Sequence, residues 1–350
     1  MGDVKKVRTA CRQCHGGCGV IAHVQDGKVI KVEGDPDSPI SHGTLCSKGL
    51  SVTQMAYHPD RILYPMRNTD HGWDRITWDE ALDTIVDKFN AVIEEYGPES
   101  IVIGQGTGRD YESHLYRFAN QLGTPNVLTA GHMCYVSRVA STLVTVGNLP
   151  ICDYEGGPRC IVLWGCNPQW TNPDEYKGEG FWRAYKKGAK LICIDPRKGF
   201  TAKKADLWLQ LRPGTDAALA MGFHHVILEE ELYDREFTEN YINGWEAFKE
   251  RVKDYPLDKV QEITWVDKDL IRKAARMYAK TKPACIHWGV PTEQTNNCAD
   301  CTRTLTGLMA ATGNLDRPGG NVLFVNPPTR TVAEFSRHKD LSKEQRAKRL

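Results

Sequence analysis

The sequence has no apolar run near the roughly 18 residues a membrane-spanning helix requires, so it predicts no membrane span. It has no basic tract either. Its 45 Lys and Arg stand against 44 Asp and Glu, for a formal net charge of +1. Nothing here would hold a phosphate backbone, and nucleic acid is not an expected partner. The opening residues, MGDVKKVRTACRQC, contain neither an apolar signal core nor a twin arginine. That predicts a cytoplasmic protein, unless a partner carries an export signal for both. No tandem repeat is evident. What remains is ordinary for a folded chain: 350 residues, 41% hydrophobic and 25% charged, room for two or more domains.

Against this background the 12 cysteines stand out. In a reducing compartment such a number points to metal or catalysis rather than disulfides. Four of them, Cys11, Cys14, Cys18 and Cys46, have the spacing C-x2-C-x3-C-x27-C. The first three are too crowded for independent bridges. Zinc competes for four thiolates, but its sites usually present two short pairs. Three ligands on one loop and a fourth from afar suit a cubic 4Fe–4S cluster. Gly16, Gly17 and Gly19 would let backbone N–H groups approach the cluster sulfurs. Between the ligands, Val20, Ala22 and Val24 alternate, Asp26–Gly27 is a hairpin turn, and Val29–Val32 returns. The cluster loop is therefore expected at the end of a small antiparallel hairpin.

Further along, helices are expected near Trp78–Glu95 and Asp110–Leu122 with a strand at Ile101–Ile103. From Cys160 a strand–helix rhythm sets in: CIVLWG, then NPDEYKGEGFWRAYKKG; KLICID; LWLQL, then TDAALAMGFHHVILEEEL; DKDLIRKAARMYAKT, then ACIHWGV. This predicts a parallel, doubly wound α/β sheet. Gly165, Asn167 and Pro168 lie at the carboxyl end of one strand, where phosphates bind in such sheets; an ordinary strand-to-helix turn would look the same. Asp195 and Arg197 lie at the next strand end, as ribose, guanine or phosphate ligands or as a surface salt bridge. Gly214, Thr215 and Asp216 precede a helix, where Thr215 or Asp216 also reads as an N-cap. Gly289 fits a fourth such position. GQGTGRD (104–110) is G-x-G-x-G and carries little weight as a nicotinamide fingerprint.

The cysteine loop, YHPDRILYPM, WDRITWDEALD, GHMCYVSR, VLWGCNP, KLICIDPR, WLQLRPGTDAALAMG and TGNLDRPGGN occur in order over nearly the whole chain. Together they resemble the large subunits of the molybdopterin oxidoreductases, in the dimethyl sulfoxide reductase family. The resemblance implies an α/β fold: a small N-terminal antiparallel β iron–sulfur domain, followed by Rossmann-like doubly wound parallel-sheet domains. It implies boundaries at 1–65 (cluster), 66–150 (first part of a pterin-binding domain), 151–326 (guanine-dinucleotide-binding domain) and 327–350. The last is a polar segment that similar proteins continue, so the chain is expected to lack a C-terminal half.

The implied cofactors are a 4Fe–4S cluster and bis-molybdopterin guanine dinucleotide with molybdenum or tungsten. The strand-end residues would hold the dinucleotide, and the 104–110 loop would approach a pterin or the metal. Cys134, which alone would read as a small buried hydrophobe, falls where the family places its metal ligand. A thiolate there would join four dithiolene sulfurs. Lys48 falls where a lysine carries electrons between cluster and pterin. His15 would handle protons. Family members that hydrate acetylene carry aspartate at its place, and formate-oxidising members carry histidine where this chain has Tyr135, so both activities are disfavoured. The remaining cysteines, 152, 160, 166, 193, 285, 298 and 301, read as core thiols, and Cys298-x2-Cys301 is given no metal.

The implied function is an oxidoreductase that exchanges electrons between a small-molecule substrate and an iron–sulfur partner subunit, resembling thiosulfate or polysulfide reductases. Two alternatives stay open. One is non-redox hydration or dehydroxylation on the same scaffold; the other is a non-catalytic electron-wiring subunit without the pterin.

Overall fold

In the computed structural model, residues 2–14, 16–106, 111–129, 131, 134–171, 177–325 and 338–347 are described. They fall into two units, Met1–Ala130 with Pro327–Leu350, and Gly131–Asn326.

The first unit begins with three antiparallel strands, β1 (Lys5–Ala10), β2 (Gly19–Gln25) and β3 (Lys28–Gly34), in the order β1-β2-β3. Val20 and Ala22 of the central strand are buried, as the alternation requires. Asp26 and Gly27 have φ of 48° and 76°, the two positive values of a type I′ turn. The expected hairpin is thus β2–β3, with β1 added on its free edge. The chain then runs through two short helices, Ser47–Leu50 and Val52–Ala56, to an antiparallel hairpin of β4 (Met66–Thr69) and β5 (Gly72–Arg75). The helix α1 (Trp78–Tyr96) starts where the Thr77 hydroxyl accepts from the Glu80 N–H at 3.1 Å, a T-x-x-E start, and stops at Gly97, φ +84°. Beyond it, β6 (Ile103–Gly104) pairs in parallel with β7 (Val127–Leu128), and α2 (Glu112–Leu122) lies between them in sequence. The strand predicted at 101–103 forms two residues later.

The second unit is built on four parallel strands: β9 (Cys160–Trp164), β10 (Lys190–Ile194), β11 (Leu207–Leu209) and β12 (Ala284–Trp288). Their order is β11-β10-β9-β12. Every residue of β9 is buried, which is why it reads as one apolar run rather than an alternation. One face carries Val162, Trp164, Ile192 and Ile286 against Leu219, Phe223, Ile271, Tyr278 and Leu305. These come from the helices α5 (Asp216–Glu229), α6 (Lys268–Lys280) and α7 (Cys298–Ala311). The other face carries Ile161, Leu163, Leu191 and Cys285 against Phe181 and Ala184 of α4 (Lys177–Lys186). Helices on both faces make the sheet doubly wound.

Helix α3 (Val136–Val146) packs on α7. The contact division therefore falls at Gly131, whereas the sequence reading drew a line at residue 151. Strand β8 (Pro150–Cys152) pairs antiparallel with β13 (Asn321–Leu323). The Asn321 amide accepts from the Ile286 N–H at 2.8 Å and donates to the Ile286 carbonyl at 2.9 Å. It thereby completes the open edge of β12, where an unpaired ladder would otherwise lie buried.

Candidate functional site

Two sites emerge, one in each unit. In the first, Cys11–Cys18 is the loop between β1 and β2. Its base is closed by the Cys11 N–H, which donates to the Cys18 carbonyl at 2.8 Å. Gly17 has φ +65°, a left-handed conformation that disfavours any side chain by about 1–2 kcal/mol. The Gly16 N–H donates to Cys14 Sγ at 3.4 Å, the kind of amide–sulfur bond that stabilises a thiolate ligand.

Cys46 reaches the same end of the sheet because the chain after β3 folds back on it. The Asp35 N–H donates to the Gly19 carbonyl at 3.0 Å, and the Gly43 N–H to the Asp35 carbonyl at 2.9 Å. A Cβ on Gly34 would stand 2.1 Å from the Gly43 oxygen, so this close return requires glycine. Cys46 then caps the helix Ser47–Leu50. None of the four forms a disulfide; Cys18 is buried and the others are partly exposed. Among the described residues, no three His, Cys, Asp or Glu side chains converge as the ligands of a single ion would. A cubane does not ask for that, since each thiolate binds a different iron. Four cysteines outside any disulfide, with an amide donor to one sulfur, fit such a cluster. Lys48 is exposed, two residues beyond Cys46. His15 lies outside the described residues, as do 107–110 of the glycine loop.

In the second unit the strand order reverses at β9: β10 and β11 lie to one side, β12 to the other. In open α/β sheets that reversal opens the crevice where ligands bind. Gly165 follows β9 and Gly289 follows β12, side by side. The Gly289 N–H donates to the Trp164 carbonyl at 2.9 Å and the Gly165 N–H to that of Ile194 at 2.8 Å. A Cβ on Gly289 would meet the Gly165 oxygen at 2.2 Å. Trp288, the last residue of β12, is buried, and its indole N–H has no partner; Gln169 Oε1 is likewise buried without one. Buried polar groups without partners are uncommon and costly. One ends β12 and the other lies in the short helix after β9, so a close backbone cradle and unmet polar atoms fit a polar, nucleotide-like ligand.

The other strand-end residues divide. The Asn167 side-chain oxygen accepts from the Thr201 hydroxyl at 2.8 Å, and Pro168 opens the short helix Pro168–Thr171. The Asp195 carboxylate accepts from the Arg197 N–H at 2.7 Å, while the Arg197 side chain is exposed. Gly214 has φ +82°. The Thr215 hydroxyl donates to the Arg212 carbonyl at 2.6 Å and makes no capping bond. Asp216 turns inward: its carboxylate accepts from the buried Trp164 indole at 2.8 Å. Burial pushes its pKa up, and the indole bond opposes that only in part. Asp216 is thus engaged with the core, an outcome the N-cap pattern did not foretell.

Cys134 is partly exposed, and its N–H donates to the Gly131 carbonyl at 3.2 Å. Tyr135 is the N-cap of α3. One turn on, Arg138 pairs with Glu293: Nη2 donates to Oε1 at 2.8 Å, and Nε lies 2.7 Å from Oε2 as an ion-pair contact without hydrogen-bond geometry. The Glu293 side chain is fully buried. Burial raises its pKa, and Arg138 opposes the shift. The guanidinium also stands 5.0 Å from the Trp288 ring centroid. Nothing in the sequence pattern marked Arg138, Glu293 or Trp288; their partners are too distant along the chain.

Comparison with known proteins shows the family. The molybdopterin oxidoreductase Fe4S4 domain matches residues 4–58, and the molybdopterin oxidoreductase family matches residues 61–348. Acetylene hydratase of Syntrophotalea acetylenica is 38% identical over 88% of this chain and 43% of its own. Formate dehydrogenase H of Escherichia coli (strain K12) is 33% identical over 91% of this chain and 46% of its own. The solved acetylene hydratase from Pelobacter acetylenicus superposes with a TM-score of 0.83 at 36% identity, covering 97% of this chain and 48% of its own. The chain thus spans about half the length of the relatives it matches. No helix among the described residues is long and apolar enough to cross a membrane.

Proposed function

The chain belongs to the molybdopterin oxidoreductase family, and from that premise we propose that it is the cluster- and dinucleotide-holding part of a molybdenum- or tungsten-dependent oxidoreductase. Its cofactors are a 4Fe–4S cluster and a molybdopterin, in line with the two matched domains; we take the pterin to be the bis-guanine-dinucleotide form. Cys11, Cys14, Cys18 and Cys46 would hold the cluster. Gly165, Asn167, Pro168, Asp195, Arg197, Gly214, Thr215, Asp216 and Gly289 would line the dinucleotide. Cys134 would hold the metal. When bound, the metal and pterins supply two-electron redox chemistry, and the cluster passes electrons singly.

The protein's own part is to bind, orient and exclude water. The Trp288 N–H offers one donor, and the Gly165–Gly289 contact lets backbone approach the ligand closely. Lys48 offers a positive charge beside the cluster loop, and His15 a group able to take a proton. The substrate is a small molecule, and electrons are exchanged with an iron–sulfur partner subunit.

The observation that supports this reading best is the strand reversal, with its glycine cradle and the unpartnered Trp288 N–H. The test is elemental and pterin analysis of anaerobically purified protein. The expected result is about four irons per chain with one molybdenum or tungsten and released pterin. Zinc in place of iron would refute the cluster. Iron without pterin would favour the electron-wiring alternative.

The similarity to acetylene hydratase favours a second reading, water addition without net redox change. A substrate screen separates the two: a redox enzyme oxidises or reduces a viologen dye in step with its substrate, a hydratase forms product with the dye unchanged.

A further inference from the structure

We propose that Arg138 and Glu293 are positioning residues that fix Cys134 against the strand reversal; the inference rests on Cys134 being the metal ligand. Two hydrogen bonds and an ion-pair contact join the helix that follows Cys134 to the turn that follows β12. The Ser137 hydroxyl donates to the Glu293 carbonyl at 3.2 Å, Arg138 Nη2 donates to Glu293 Oε1 at 2.8 Å, and Arg138 Nε lies 2.7 Å from Oε2. The Glu293 backbone is itself tied to the cradle. Its N–H donates to the Val290 carbonyl at 3.0 Å, and the Thr292 N–H and hydroxyl donate to the Gly289 carbonyl at 3.2 and 2.9 Å. A continuous chain of short bonds therefore runs from the turn holding Cys134 to Gly289.

The pair is built for position rather than net stability. Burying two charges costs about as much as their attraction returns, whereas removing one partner strands the other. The planar guanidinium donates from Nη2 to one carboxylate oxygen while Nε stays beside the other, a directed contact that the point charge of a lysine cannot reproduce. With the Glu293 side chain fully buried and Arg138 at 18% exposure, solvent cannot replace either partner. The Trp288 ring beside the guanidinium places the clamp against the unpartnered indole N–H.

The test measures the alkylation rate of Cys134 by iodoacetamide in cofactor-free protein, resolved peptide by peptide, with the partly exposed Cys298 as internal control. Arg138→Met is expected to raise the Cys134 rate about tenfold through local opening, Arg138→Lys to raise it less, and Cys298 to stay within about twofold. Exchanging the charges, Arg138→Glu with Glu293→Arg, is expected to bring the rate back toward the wild-type value. Should Arg138→Met fail to fold, Glu293→Gln serves, since it keeps the shape and removes the charge that holds Arg138. Unchanged Cys134 reactivity in a cooperatively folded variant would overturn the clamp, as would an equal rise at Cys298. Metal analysis of Cys134→Ser reports separately on the ligand reading, so the two failures are distinguishable.

Discussion

Alanine at Gly289 gives a sharp test of the cradle. Gly289 has φ −101° and ψ 177°, a conformation open to any residue, so alanine brings no backbone strain. The difficulty is contact: the added Cβ would lie 2.2 Å from the Gly165 oxygen and 2.8 Å from Cys166 Cβ. A carbon–oxygen contact relaxes near 3.3 Å, so the two loops must part by about 1 Å. Overpacking of this kind costs about 1–3 kcal/mol. Alanine at Gly165 is the matched control. There φ is +62°, while the nearest atom, Pro291 Cβ, is 3.6 Å away. That variant carries about 1–2 kcal/mol of left-handed strain and does not push the loops apart. Denaturant titration should show a similar loss of stability in both. Pterin content per folded chain should fall only in Gly289→Ala, because displacement by 1 Å ruins a fitted site. Equal pterin loss in both variants would show that retention follows stability, and the steric reasoning would be refuted.

Other consequences are as open to measurement. Cys134→Ser should keep its iron and lose molybdenum or tungsten, and serine at any of Cys11, Cys14, Cys18 or Cys46 should lower iron, both read by elemental analysis. Asn321→Ala should cost about 2–4 kcal/mol in denaturant titration, since it strands the buried Ile286 N–H and C=O together. Asp216 has a raised folded pKa, so its contribution is fully present below the unfolded value near 3.9 and is lost as pH rises through the folded value. Asp216→Asn, which keeps an acceptor for Trp164, should abolish that loss, seen as a flatter stability profile on the acid side of neutrality. Glu33 behaves oppositely. Held by Lys31 and then His23, its carboxyl is lowered to about 2. Its contribution is present above the unfolded value near 4.3 and fades as pH falls through about 2. Glu33→Gln should remove that acid dependence from the unfolding of the first unit.

Legibility in the sequence followed the range of the interactions. The Asp26–Gly27 turn and the strands of the second unit were readable because alternation, apolar runs and turn residues act over a few positions. Gly165 and Gly289 were each readable as strand ends, but their contact was not, since the two loops meet only when β12 docks beside β9. Arg138 and Glu293 are 155 residues apart, and no local pattern couples them. Asp216 had the look of a cap because N1 acids serve helix starts; the buried indole that claims it belongs to a strand 52 residues earlier. Cys134 was legible only by resemblance, as one thiol has no spacing.

The strand order also sets a sequence of assembly. β9, β10 and β11 lie within residues 160–209, whereas β12 arrives at 284, after five helices. The first three strands can pair while the chain is still being made. β9 then keeps an open edge until β12 closes it, and long-range parallel pairing of this kind is slow. The cradle between Gly165 and Gly289 exists only after that closure. The proposed dinucleotide would therefore meet a receptive surface late, when the sheet is whole, and the same closing strand that finishes the fold would open the protein to its cofactor.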